Sequence, residues 1–117
     1  MNDSELKMRT KQFALRVMKL VGALPQNAVG GPIGNQLIRS ATSVGANYRA
    51  ACRGRSKAEF VSKLSIVIEE ADESCYWLEL IIEGDLLAKD KVELLLDEAN
   101  QITAIMVASR KTAKGDN

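Results

Sequence analysis

The side chains that could do chemistry here are mostly cations. Arg39, Arg49 and Arg53 recur along one stretch, Arg55, Lys57 and Lys63 follow closely, and Lys7, Arg9, Lys11, Arg16 and Lys19 crowd the start of the chain. Positioned cations neutralise phosphates with little demand on the acceptor's geometry, so RNA or DNA is the first partner to consider. Other chemistries drop out. The chain has no histidine, the side chain most used as a general base or metal ligand near neutral pH, which removes serine–histidine and cysteine–histidine nucleophile designs. Cys52 and Cys75 are too few for a zinc cage and read as small buried apolar residues. Glu69, Glu70 and Glu73 lack the Glu-x-x-His partners of a di-iron bundle. Gly30-Gly31-Pro32-Ile33-Gly34 lacks the Gly-Lys-Ser/Thr ending of a phosphate-binding loop. Phe13, Tyr48, Phe60, Tyr76 and Trp77 mostly fall on apolar faces, which leaves little for base stacking. The expectation is a non-enzyme with no catalytic residue, metal, cofactor or small-molecule substrate.

The elements that position these cations follow from length and pattern. The chain has 117 residues, 46% hydrophobic and 26% charged, enough for one packed domain spanning 1–117. The net charge of +1 hides an asymmetry: Met1 to Lys63 holds 11 basic and 3 acidic residues, and Leu64 to Asn117 holds 5 basic and 12 acidic, so a half of +8 faces a half of −7. The N-terminus lacks a basic-then-apolar signal, and no apolar run approaches the ~18 residues of a membrane span, so a soluble cytoplasmic chain without a membrane partner is expected.

Two prolines and eight glycines punctuate the sequence. The intervals predict an all-α fold of four helices over about 4–24, 32–53, 56–83 and 90–111, joined by loops short enough to imply an antiparallel up-down bundle. Leu6, Phe13, Val17, Leu20 and Leu24 share one side of helix one, and Pro25 and Asn27 end it. Pro32 suits the first turn of helix two and Gly54 its stop. Ser56-Lys57-Ala58-Glu59 matches a capping box for helix three, whose inward stripe is Phe60, Leu64, Val67, Ala71, Cys75, Leu78 and Ile82, with Gly84 as its stop. Asp90 is the expected cap of helix four, whose stripe is Val92, Leu95, Leu96, Ala99, Ile102 and Met106, and a frayed tail is expected from Lys111.

Some faces remain after the core is built. At roughly 100° per residue, Arg53 and Arg49 lie about 40° and 80° from Arg39, opposite Leu37, Val44 and Tyr48. This arginine face, extended by Arg55, Lys57 and Lys63, either binds nucleic acid or is a solvated surface whose charges serve subunit contacts. Helix three carries a second seam of Glu59, Lys63, Ile66, Glu70, Trp77 and Ile81, a candidate oligomer interface, although Trp77 could instead broaden the core. Leu94 and Ile105 point the same way. A basic half meeting the acidic half of the next copy closes into a ring where the rotation permits.

Gln36-Leu37-Ile38-Arg39-Ser40-Ala41-Thr42-Ser43-Val44-Gly45-Ala46-Asn47-Tyr48-Arg49-Ala50-Ala51, then Ser56-Lys57-Ala58-Glu59-Phe60, then Glu70-Ala71-Asp72-Glu73-Ser74-Cys75-Tyr76-Trp77-Leu78 resemble the blocks of the 23S rRNA intervening-sequence protein family. The resemblance implies a small bacterial antiparallel four-helix bundle that assembles as a ring-shaped homopentamer. It places Arg39, Ser43, Asn47, Glu59, Glu70, Glu73 and Trp77 on motif positions and supplies no catalytic residue. A related branch, the accessory variability determinant (Avd) proteins of diversity-generating retroelements, binds nucleic acid and a reverse transcriptase through a basic surface. The charged faces and the resemblance together lead to the expectation of a self-assembling protein, a homopentamer by the resemblance, that binds RNA or DNA through the candidate residues Arg39, Arg49, Arg53, Arg55, Lys57, Lys7 and Lys11 read from the basic faces, or alternatively of a protein-interaction scaffold whose charges serve subunit contacts.

Overall fold

The computed structural model describes residues 1–115. Among the described residues there are four α-helices and no strand: α1 (Asp3–Gly22), α2 (Gly30–Cys52), α3 (Lys57–Glu83) and α4 (Glu93–Lys114), with a 3-10 turn at Lys89–Lys91 leading into α4. Local chemistry sets the boundaries, and several differ from the spans predicted by pattern. Asn2 opens α1: its Oδ1 accepts from the Glu5 N–H at 2.9 Å while its own N–H donates to Glu5 Oε1 at 3.4 Å, satisfying two otherwise orphaned donors. α1 stops at Gly22, short of the expected residue 24, yet Leu24 stays in the core at 4% exposure. Asn27 Oδ1 then accepts from the N–H groups of Val29 and Gly30. That turn starts α2 at Gly30, with Pro32 in its first turn. Only glycine fits there, because a Cβ on Gly30 would stand 2.0 Å from the Pro25 carbonyl oxygen.

The Ser56 hydroxyl caps α3 by accepting from the Glu59 N–H at 3.1 Å, but the Glu59 carboxylate accepts from the Arg55 N–H. The expected capping box is therefore half formed. Gly84 ends α3, and Asp85 follows in the left-handed region at φ 58. Asp90, the expected cap of α4, lies in the 3-10 turn; α4 starts at Glu93 without a side-chain cap. The expected frayed tail is helical through Lys114, closed by left-handed Gly115.

Apolar periodicity does the rest. α1 packs on α2, α2 on α3, α3 on α4, and α4 returns to α1. The stripes Leu6, Phe13, Val17 and Leu20, then Leu37, Val44 and Tyr48, then Leu64, Val67, Ala71, Cys75 and Leu78, then Val92, Leu95, Ala99, Ile102 and Met106 are all buried. Each fully buried large aliphatic side chain contributes about 1.5–3 kcal/mol before chain entropy is subtracted. Phe60, Ile82 and Leu96, expected in the same stripes, are half-buried at the edges. Small residues let α2 approach its neighbours: a Cβ on Gly45 would sit 3.2 Å from the hydroxyl of buried Thr10 on α1. Facing α3, the buried hydroxyls of Ser40 and Ser74 lie 2.9 Å apart, each also bonding a carbonyl one turn earlier in its own helix.

Candidate nucleic-acid interface

The corner where α2 gives way to α3 concentrates positive charge, and the local fold explains how. Arg49 stands in the last turn of α2, where a cation complements the helix dipole. Arg53 caps the helix by donating its N–H to the Ala50 and Ala51 carbonyls. Gly54 donates to the Ala51 carbonyl at 3.0 Å, and the chain reverses over Arg55 into the Ser56 cap and Lys57. Lys63 lies further along α3. Arg53, Arg55, Lys63, Glu59 and Ser62 line a notch of about 410 Å³. Arg49, Arg53, Arg55, Lys57 and Lys63 are all exposed, and among the described residues none of the five makes an ion pair. Their charges are free to meet an anion from solution.

Arg39, the first cation of the expected face, is used differently. Its Nη1 lies 2.9 Å from Glu70 Oε2 and its Nη2 bonds Glu73 Oε2. Glu73 also accepts from the Trp77 indole N–H at 3.2 Å. The Glu73 hydrogen bond, followed by the field of both carboxylates, pushes the Arg39 guanidinium above its ordinary range. The candidate phosphate ligand is thus a clamp between α2 and α3. Arg9 is similarly engaged, with bonds of 2.8 Å to both Glu98 oxygens and to Gln101 of α4. Lys7 is half-buried and Lys11 exposed on α1, and neither lines the notch.

The candidate interface residues on α3 do not form one exposed stripe. Ile81 is fully buried in the chain's own core, and Glu70 faces α2. The reason is that α3 packs against both α2 and α4, so its buried arc is wider than one stripe. Trp77 is half-buried against the core, Ile66 is 37% exposed, and Glu59 and Lys63 belong to the corner notch. The outward face along the second half of α3 is instead Glu69, Asp72, Tyr76, Glu79 and Glu83, whose spacings of three, four, three and four are themselves a helical-face signal in the sequence.

Cys75 is buried, and burial above all pushes its thiol upward, so it remains a protonated packing group beside Asn100 and Thr103. Among the described residues no group of three His, Cys, Asp or Glu side chains could hold a metal ion, and no helix is long and apolar enough to cross a membrane.

Comparison with known proteins bears on this bundle directly. No curated protein matches the chain. A crystal structure of a protein of unknown function from the S23 ribosomal protein family of Bacteroides thetaiotaomicron is similar, with a TM-score of 0.84 and 32% identity over 91% of this chain and 98% of that one. The model of the 23S rRNA-intervening sequence proteins matches residues 2–108, a span that takes in the Arg39 clamp, the charged corner and most of α4. By that match the chain belongs to the 23S rRNA-intervening sequence protein family.

Proposed function

We propose that this protein is a non-enzymatic, self-assembling bundle that binds RNA or DNA through the α2–α3 corner. The observation that carries the reading is the set of five exposed cations, Arg49, Arg53, Arg55, Lys57 and Lys63, whose side chains make no ion pair among the described residues. Bringing five cations together costs electrostatic repulsion that a bound phosphate backbone relieves. Arg39 leaves the candidate set because Glu70 and Glu73 neutralise it.

The protein acts as one cytoplasmic domain whose helices alternate in direction. Two contacts support the alternation: the Tyr48 hydroxyl late in α2 donates to Asp3 at the start of α1, and Arg110 late in α4 donates to Ser65 early in α3. Family membership supports a homo-oligomeric ring, with five chains as the expected number. A filter-binding titration on RNA and DNA duplexes across salt concentrations tests the reading. Binding should weaken steeply with salt, and the log–log slope should fall by about 2 in magnitude when Arg53→Ala and Lys63→Ala are combined. No measurable binding at low salt would leave the second reading, a protein-interaction scaffold, which the exposed apolar residues Leu15, Met18 and Leu94 favour.

A further inference from the structure

Two outward faces of this chain match each other. On α1, Met8, Lys11, Leu15 and Met18 follow at spacings of three, four and three, so they share one face, with Lys7, Arg16 and Lys19 along its borders. Met8 is 66%, Leu15 48% and Met18 52% exposed, a strip of apolar surface with no covering element in the chain. On α3, Glu69, Asp72, Tyr76, Glu79 and Glu83 share a second outward face, and Tyr76 at its centre is 53% exposed. Tyr76 is held edge-on against Trp77 with ring centroids 5.2 Å apart, so its orientation is fixed at low entropic cost before any partner arrives. Among the described residues neither the four cations of the α1 face nor the four carboxylates of the α3 face make an ion pair.

We propose that the α1 face of one copy docks on the acidic α3 face of a second copy, with Tyr76 seated among Met8, Leu15 and Met18. The proposal rests on the self-association reading above and names its interface. Both faces are helical strips, about 15 Å long between Met8 and Met18 and about 21 Å between Glu69 and Glu83 at ~1.5 Å per residue. An aromatic anchor among flexible methionines, flanked by opposite charges, has the anatomy of a specific interface: an apolar centre with a polar rim that sets register. An anionic lipid surface would also attract the α1 face, but it would leave the matching acidic strip without a partner. Because the two faces differ, each docked copy still presents one face of each kind, so the contact propagates until it closes. Lys7 and Lys11 then belong to the subunit contact, and the nucleic-acid site is confined to the corner.

Light scattering coupled to size-exclusion chromatography on the full chain tests this. The variants are Lys11→Glu with Lys19→Glu, Asp72→Lys with Glu79→Lys, and all four together, with circular dichroism confirming helix content. All four positions are exposed, so folding should survive. The expected result is a multimeric parent chain, a fall of each double variant toward the 12.8 kDa monomer, and recovery of the multimer in the quadruple variant. A multimeric parent chain whose mass is unchanged in both double variants, or double variants that stay dissociated when combined, would overturn this interface and leave self-association standing. A monomeric parent chain at every concentration would overturn both readings. Flotation of the parent chain with phosphatidylserine vesicles, lost in Lys11→Glu/Lys19→Glu and retained in Asp72→Lys/Glu79→Lys, would reassign the α1 face to lipid and overturn the proposal.

Discussion

The Arg39 guanidinium on α2 lies 2.9 Å from the Glu70 carboxylate on α3. It holds Glu73 as well, and Glu73 in turn receives the Trp77 indole N–H. A cation that sequence periodicity places on a nucleic-acid face is therefore spent on positioning two helices. Such a pair is open to solvent and salt, so its contribution to stability is small, and its larger effect is on register, because one arginine spans two acids one helical turn apart.

Arg39→Ala is therefore expected to lower the thermal midpoint slightly while leaving nucleic-acid affinity and its salt slope unchanged. Arg53→Ala should do the reverse, keeping the midpoint and reducing the slope by about 0.9. Circular dichroism melts beside filter binding separate the two residues. A salt slope that falls equally in both variants would return Arg39 to the binding surface.

Ile81 offers a comparable test inside the bundle. With 0% exposure, Ile81→Ala should cost about 2–5 kcal/mol in urea unfolding, through lost burial and the cavity left behind. Ile66, on a neighbouring arc of α3 at 37% exposure, should cost about 0.5 kcal/mol or less on truncation, provided the measurement is made on the dissociated chain. Equal costs at the two positions would mean that the buried arc of α3 is drawn wrongly.

These residues also show how far the sequence could be read. The apolar spacing that predicts Phe13, Val17, Leu64, Val67, Leu78, Ile102 and Met106 as core is a local, one-dimensional signal, and all seven are buried. Helix ends were less legible: Asn2 caps α1 so that it starts at Asp3, α1 stops at Gly22 rather than near residue 24, and Asp90 is drawn into a 3-10 turn. Those choices depend on competing turns of similar energy. Least legible was the fate of individual charges. Arg39 and Arg53 lie about 40° apart on one helix, yet only the first has carboxylates opposite it. That difference is made by Glu70 and Glu73 of α3, 31 and 34 residues beyond Arg39, and no pattern within α2 encodes it.

Asp85 occupies the left-handed region at φ 58, the one non-glycine residue among those described with positive φ. Its side chain meets a steric cost there that glycine does not. Asp85→Gly should raise stability by on the order of 1 kcal/mol, reduced by the greater freedom glycine has in the unfolded chain, whereas Asp85→Val should destabilise. Paired urea melts decide it, and a Val variant as stable as the parent would show that the turn relaxes freely.

Tyr48 gives the protein an alkaline limit. It is 2% exposed, and burial, reinforced by the Cys52 thiol and the Asp3 carboxylate, pushes its phenol above the ordinary tyrosine range. The folded state therefore keeps the proton longer than the unfolded chain does. The resulting stabilisation is fully present below about pH 10, the ordinary tyrosine value, and is lost as pH climbs from there toward the folded value. Cys75, raised chiefly by burial from 9.0, adds a loss of the same sign that begins at lower pH. Tyr48→Phe should be slightly less stable than the parent at pH 8, because it forfeits the 3.4 Å bond to Asp3. It should lose less of that stability between pH 9.5 and pH 11, since phenylalanine has no proton to give up. Urea midpoints measured across that range should show the two curves converging. Curves that stay parallel would place the alkaline transition on groups other than Tyr48.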